Sequence, residues 1–303
     1  MRRPWYGYLL VLSLIFLGVY LWRLEVFEPV PLRSTPALIA AFGMVLAGFL
    51  LQSFAWQVTL RPTAYRSSYA LCLAGSGLSA FTRYIPGKVF SVLGRAVYVA
   101  EQKGAPRSDL SMLSLTAQLV SIWAGIGLGA LGLLASGAMV AWGGTVAVGW
   151  LVLTVLIFTD SAHGTAERAG SLLLRREIDF PRLRFGAVLG VAGGFAAMWA
   201  TWGAGFSLLA VAIFGQDVPV WTGFVFPLAT TLGIVAVFAP GGLGIREGAM
   251  VALLVAIGMP TTAAVTLSVY ARIWFLAGEA GVFLLGLLAA RAVRHSSSGT
   301  PTD

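Results

Sequence analysis

The chain has 303 residues, of which 58% are hydrophobic and 11% charged, and its mean hydropathy is +0.86. A soluble chain of this length carries about twice that share of charge and confines its apolar residues to stripes, so a soluble enzyme is excluded and an all-α polytopic membrane protein is expected. The formal charge of +8 is spread between apolar runs, where basic residues set membrane orientation, so no nucleic-acid partner is expected.

The N-terminus, MRRPWYGYLLVLSLIFLGVYLWRL, starts like a signal peptide. Its apolar core from Tyr6 to Tyr20 is long for that purpose and no Ala-x-Ala type cleavage site follows, so a retained first helix is expected. Full-length spans are expected at about 6–24, 37–60, 109–134, 138–158, 184–214 and 261–289, which makes six crossings. Two further apolar stretches, about 68–103 and 221–257, are interrupted by Pro86-Gly87 and Pro240-Gly241. Each of their halves is short for a clean span, so both are expected to be re-entrant broken-helix hairpins. The glycines of AGIGLGALG and LGVAGG fit small-residue helix packing, and tryptophans such as Trp5, Trp22 and Trp221 read as interfacial anchors. The last residues, 291–303, read as a disordered cytoplasmic tail.

A single cysteine, Cys72, excludes an internal disulfide and a multi-cysteine metal site. His163 and His295 lie in polar segments and form no metal or catalytic constellation. No Walker lysine, paired catalytic carboxylates or Ser-His-Asp arrangement is present, so neither enzymatic activity nor a metal or organic cofactor is expected.

Shifting the chain by 154 residues lays the segment from Pro86 to Pro106, which starts PGKVFSVL, on the segment from Pro240 to Pro260, which starts PGGLGIRE. Both read Pro-Gly, sixteen residues, then Gly-x-Pro, and the register gives 14 identities in the 49 positions from Pro86 to Leu134. The whole chain therefore reads as one integral membrane domain made of two repeats, about 6–134 and 138–289. Three crossings per repeat is an odd number, so the second repeat is expected upside down relative to the first. With the N-terminus inside, 16 of the 20 basic residues fall on the inner side, Arg95 among them, while the outer loops SGAM and GQDVP hold none. Both termini are thus expected in the cytoplasm.

A Pro-Gly break at membrane depth leaves backbone groups unpaired, which is tolerated only where protein or a water-filled cavity meets them. The half-helices after each break would also present positive N-terminal ends to an anion. Arg83 and Lys88 flank the first break, and Arg246 and Arg272 follow the second; these four are the candidate substrate-binding residues. Pro86, Gly87, Pro240, Gly241, Gly242 and Gly244 shape the breaks. Glu247 is expected to brace Arg246, and Glu279, seven residues after Arg272, shares its helical face as an alternative brace. Gln118 holds the repeat position of Arg272, keeping polarity without charge.

At RYIPGK, Arg83 to Lys88, and PGGLGIREG, Pro240 to Gly248, followed by Arg272 and Glu279, the sequence resembles the flippase-like family. This is the membrane region of lysylphosphatidylglycerol synthetases and its stand-alone relatives in bacteria and archaea. The resemblance covers about residues 6–290. It implies a protein of the prokaryotic cytoplasmic membrane that translocates a phosphate-bearing lipid headgroup, either an aminoacyl-phospholipid or a polyprenyl-linked sugar. It also leaves two alternatives: a membrane subunit that scaffolds a glycosyltransferase or lipid-modifying synthase, and a secondary transporter of a small anion. The soluble aminoacyl-transferase domain of the synthetases does not follow the membrane part here, so lipid aminoacylation is not expected.

Overall fold

The computed structural model describes residues 31–84, 89–137, 140–158, 185–236 and 244–298, and all regular structure among them is helical. The helices are α1 (Thr35–Leu60), α2 (Tyr69–Leu78), α3 (Val89–Lys103), α4 (Arg107–Ser136), α5 (Val140–Phe158), α6 (Phe185–Phe214), α7 (Thr222–Val235), α8 (Ile245–Ala256) and α9 (Thr261–Ser298), with a 3₁₀ turn at Ala80–Tyr84 after α2. Four stretches are long and apolar enough to cross a membrane: Thr35–Leu60, Arg107–Ser136, Val188–Phe214 and Thr261–His295. The first helix expected at 6–24 lies outside the described residues.

Local chemistry sets the helix ends. Ser34 caps α1 by accepting from the Ala37 N–H at 3.3 Å, and Ser68 caps α2 by accepting from the Leu71 N–H at 3.3 Å. Gly104 and Gly258 occupy matched places after α3 and α8 with φ of 61° and 99°, a region where a side chain would be strained. Pro106 and Pro260 follow two residues later and lead into α4 and α9, so the Gly-x-Pro signature is a helix stop joined to a helix start. The segment from Arg291, expected to be disordered, is helical to Ser298. Its start, Arg-Ala-Val-Arg, is built mostly of good helix formers, and Arg294 Nε donates to the Ala290 carbonyl at 3.3 Å.

Under the shift of 154, α1, α2, α3 and α4 fall on α6, α7, α8 and α9. The two equivalent helices α1 and α6 form the most extensive pairing in the fold, and they run antiparallel. Space for a Cβ is filled by Ala41 and Met44 at Gly205, by Trp202 at Gly48, by Ala55 at Gly194 and by Val58 at Gly190, so the partner number falls as the α1 number rises. Gly48 and Trp202 are themselves equivalent positions under this shift. Elsewhere the halves exchange helices: α2 packs on α9, and α7 packs on α4. At one such crossing a Cβ on Gly77 would overlap the Val282 carbonyl oxygen, so backbone meets backbone.

Indole donors bind these helices to each other. Trp202 Nε1 donates to Val45 O at 3.0 Å, Trp274 Nε1 to Ala41 O at 2.9 Å and Trp199 Nε1 to Ser121 O at 2.8 Å. Together with Trp56, these tryptophans are core residues, while Trp5 and Trp22 lie outside the described residues. A carbonyl already used in a helix has a second lone pair, and a buried indole N–H must find an acceptor. Around Trp202 the rings of Phe49, Trp199 and Phe275 pack edge-on at 5.0, 5.4 and 5.0 Å.

Candidate functional site

The two short helices α3 and α8 follow the two breaks, and each carries a buried arginine inward. At α8, Gly244 turns the chain with φ of 81° and its N–H donates to Glu247 Oε2 at 2.8 Å. A carboxylate in this first turn satisfies a free amide and complements the positive helix end. The other oxygen, Oε1, accepts from Arg272 Nη1 at 3.3 Å and so ties α8 to α9. Glu247 therefore supports Arg272, not its neighbour Arg246 as expected, because adjacent helical side chains point about 100° apart. Arg246 instead lies 6% exposed between two rings, its guanidinium 5.0 Å from the Phe226 centroid and 4.9 Å from that of Phe275. Gly233 lets α7 pass: a Cβ there would be 2.8 Å from Arg246 Cβ.

On α3, Arg95 is 5% exposed and stacks over Trp56 at 4.8 Å. Its Nε donates to Ser114 Oγ at 2.7 Å and its Nη2 to Ser114 O at 3.1 Å, while the serine hydroxyl donates onward to Val92 O at 2.6 Å. Ser114 thus joins α3, α4 and the guanidinium. The expectation that Arg95 serves as an inner-side loop charge is corrected: the fold turns it into the protein.

Both arginines line one cavity that is partly open to the outside. Among the described residues its polar wall comprises Gln52, Ser76, Ser79, Arg95, Gln118, Ser121, Thr230, Arg246, Arg272 and Glu279, with Trp199, Trp202 and Phe275 as its aromatic side. Arg272 is 4% exposed and Glu279 is fully buried. Gln118 and Arg272 each lie eleven residues into α4 and α9, or about 16 Å along the axis at about 1.5 Å per residue. A polar, cationic chamber among largely apolar helices can accept a charged group that lipid cannot solvate.

The structure brings Gln118, Arg246, Arg272 and Glu279 together and sets Glu247 and Gly244 behind them. For Arg83 only the backbone is described, in the 3₁₀ turn, and Pro86, Gly87, Lys88, Pro240, Gly241 and Gly242 lie outside the described residues. Arg95, Gln52, Ser76 and Thr230 are wall residues that sequence reasoning missed. Two signals pointed to them: Ser76 and Thr230 match under the shift of 154, and Arg95 sits one helical turn after Val92, the repeat partner of Arg246.

Comparison with known families gives a match to the lysylphosphatidylglycerol synthase TM region over residues 5–286. The chain belongs to this family. As a lysylphosphatidylglycerol synthase TM region it is a multi-pass membrane protein, and its four long apolar helices carry the cavity between them. No curated protein and no solved structure matches the chain.

Proposed function

We propose that this lysylphosphatidylglycerol synthase TM region is a lipid translocase that carries a phosphate-bearing headgroup across the cytoplasmic membrane through its central cavity. The observation that carries this reading is the placement of three buried arginines, one each on α3, α8 and α9, around one polar cavity in a bundle of largely apolar helices. The phosphate exchanges water for guanidinium donors, whose planar forks suit its oxygens, while the acyl chains stay in the bilayer. Transport then needs no bond chemistry, so the protein acts without being an enzyme.

In this reading six helices cross fully, the two broken segments are re-entrant, and the halves are inverted, with both termini in the cytoplasm. The antiparallel course of α1 and its equivalent α6 supports the inversion. Two opposed halves around a shared site supply an inward and an outward opening from one scaffold. A cysteine at exposed Gln216 should react with an impermeant reagent from outside, and one at exposed Arg291 should not. Reaction at both positions in sealed cells would contradict the orientation.

The functional test uses vesicles containing the purified protein and a short-chain fluorescent phospholipid that albumin extracts from the outer leaflet alone. Wild-type protein should make nearly all the lipid extractable, whereas Arg246→Ala should leave the inner half behind. Equal extraction from wild-type and protein-free vesicles would refute translocation.

A further inference from the structure

Arg95 is not among the candidate residues read from the sequence, yet it is as buried as Arg246 and Arg272 and reaches the same cavity from the other half of the chain. Trp56 fixes the plane of its guanidinium and Ser114 fixes its edge, as Phe226 and Phe275 fix the plane of Arg246. An arginine held in place in advance loses little freedom on gripping a ligand oxygen.

Two hydroxyls point to a ligand independently. Ser76 and Thr230 occupy the same place in the two halves, and both line the cavity. Ser76 Oγ and Thr230 Oγ1 are buried without a hydrogen-bond partner among the described residues. Such groups are costly unless something in the cavity meets them.

Charge then decides the class of ligand. Arg95, Arg246 and Arg272 bring three positive charges, whereas Glu279 on the wall and Glu247 behind Arg272 bring two negative ones. The described site holds a surplus of one positive charge, in surroundings that screen it poorly. A phosphate ester of net negative charge offsets the surplus, a zwitterion does not, and an added ammonium enlarges it.

We infer that Arg95 and Arg246, one from each half, form a two-handed clamp finished by Ser76 and Thr230. The clamp selects a phosphate-ester headgroup of net negative charge over zwitterionic and cationic ones; the bilayer source of this ligand rests on the translocase reading. The full-length protein in detergent is titrated with short-chain phosphatidylglycerol, phosphatidylcholine and lysylphosphatidylglycerol, and with soluble glycerol phosphate. The readout is the change in intrinsic tryptophan fluorescence, to which Trp199 and Trp202 on the cavity wall contribute.

Phosphatidylglycerol should bind tightest and lysylphosphatidylglycerol weakest. Arg95→Gln should weaken phosphatidylglycerol about ten- to a hundredfold while changing phosphatidylcholine far less, and Arg95→Lys should recover part of the loss. The pair Ser76→Ala with Thr230→Val should weaken it severalfold in a protein that folds normally, which keeps the test open if Arg95→Gln fails to fold. Wild-type protein that binds lysylphosphatidylglycerol as tightly as phosphatidylglycerol, or variants that keep the wild-type preference, would overturn the clamp. Glycerol phosphate binding as tightly as the lipid would overturn the bilayer source. Binding is read without transport, so selective binding by a protein that moves no lipid would refute the translocase reading alone.

Discussion

Helices α3 and α8 hold matched places after the two breaks, end in matched left-handed glycines and lead through matched prolines into α4 and α9. Their charges do not match. The repeat partner of Arg246 is Val92, that of Arg95 is Ala249, and that of Arg272 is Gln118. Ser114 holds Arg95, whereas its partner Ser268 has a buried hydroxyl with no hydrogen-bond partner among the described residues. The helix stops are thus kept in both halves, and so are the cavity hydroxyls of Ser76 and Thr230. The charged groups that face the cavity differ between the two halves.

The largest expected effect comes from the more heavily charged half. Arg272→Ala strands the Glu247 carboxylate, which is mostly buried, and should lower stability by about 3 kcal/mol, measured by thermal or denaturant unfolding. Adding Glu247→Gln should restore most of that stability but not transport; recovery of both would make Arg272 a brace only. The next effect sharpens the contrast between the serines: Ser114→Ala should cost about 2 kcal/mol because it removes the acceptor of the buried Arg95 Nε, whereas Ser268→Ala should be close to neutral. Equal losses would break the comparison.

The seam between the halves gives a third pair. A Cβ on Gly48 would overlap Trp202 Nε1, and the displaced indole would lose its bond to Val45 O, so Gly48→Ala should cost about 1–3 kcal/mol. Gly43→Ala, five residues earlier with nothing within 4 Å, should leave stability unchanged or slightly raised, since alanine suits a helix better. The smallest effect on folding belongs to the matched hydroxyls. Ser76→Ala and Thr230→Val should leave the melting temperature unchanged or raise it slightly while reducing transport severalfold, because each removes a buried hydroxyl that the fold itself does not satisfy.

The long helices were legible because hydropathy is a one-dimensional signal. Spans expected at 37–60, 109–134 and 184–214 correspond to Thr35–Leu60, Arg107–Ser136 and Phe185–Phe214. The last helix ran past its expected end because the hydrophobic run stops at the membrane surface while helix propensity continues through Arg291 and Arg294. Arg246, Arg272, Glu279 and Gln118, which line the cavity, stood out in the sequence because charge or amide inside an apolar run is costly and calls for a reason. Arg95 was not, since the stretch from Gly94 to Lys103, with Glu101, Gln102 and Lys103 at its end, resembles a polar helix end at the membrane surface. Only tertiary packing turns its arginine inward. Trp199, Trp202 and Trp274 were not legible as core donors, because whether a mid-span ring faces lipid or a neighbouring helix depends on the fold.

The central claim, that the headgroup passes through the cavity, can be tested by plugging the cavity in an otherwise unchanged protein. Ile234 lines the cavity, and Cys72 is buried and can be replaced, so Ile234→Cys in a Cys72→Ala background provides one reactive thiol on the wall. Vesicles carrying this protein are assayed by albumin extraction before modification, after attachment of a bulky thiol reagent through a disulfide, and after its removal by reduction. The account predicts transport, then its loss, then its return in the same sample; undiminished transport with the thiol fully modified would contradict it.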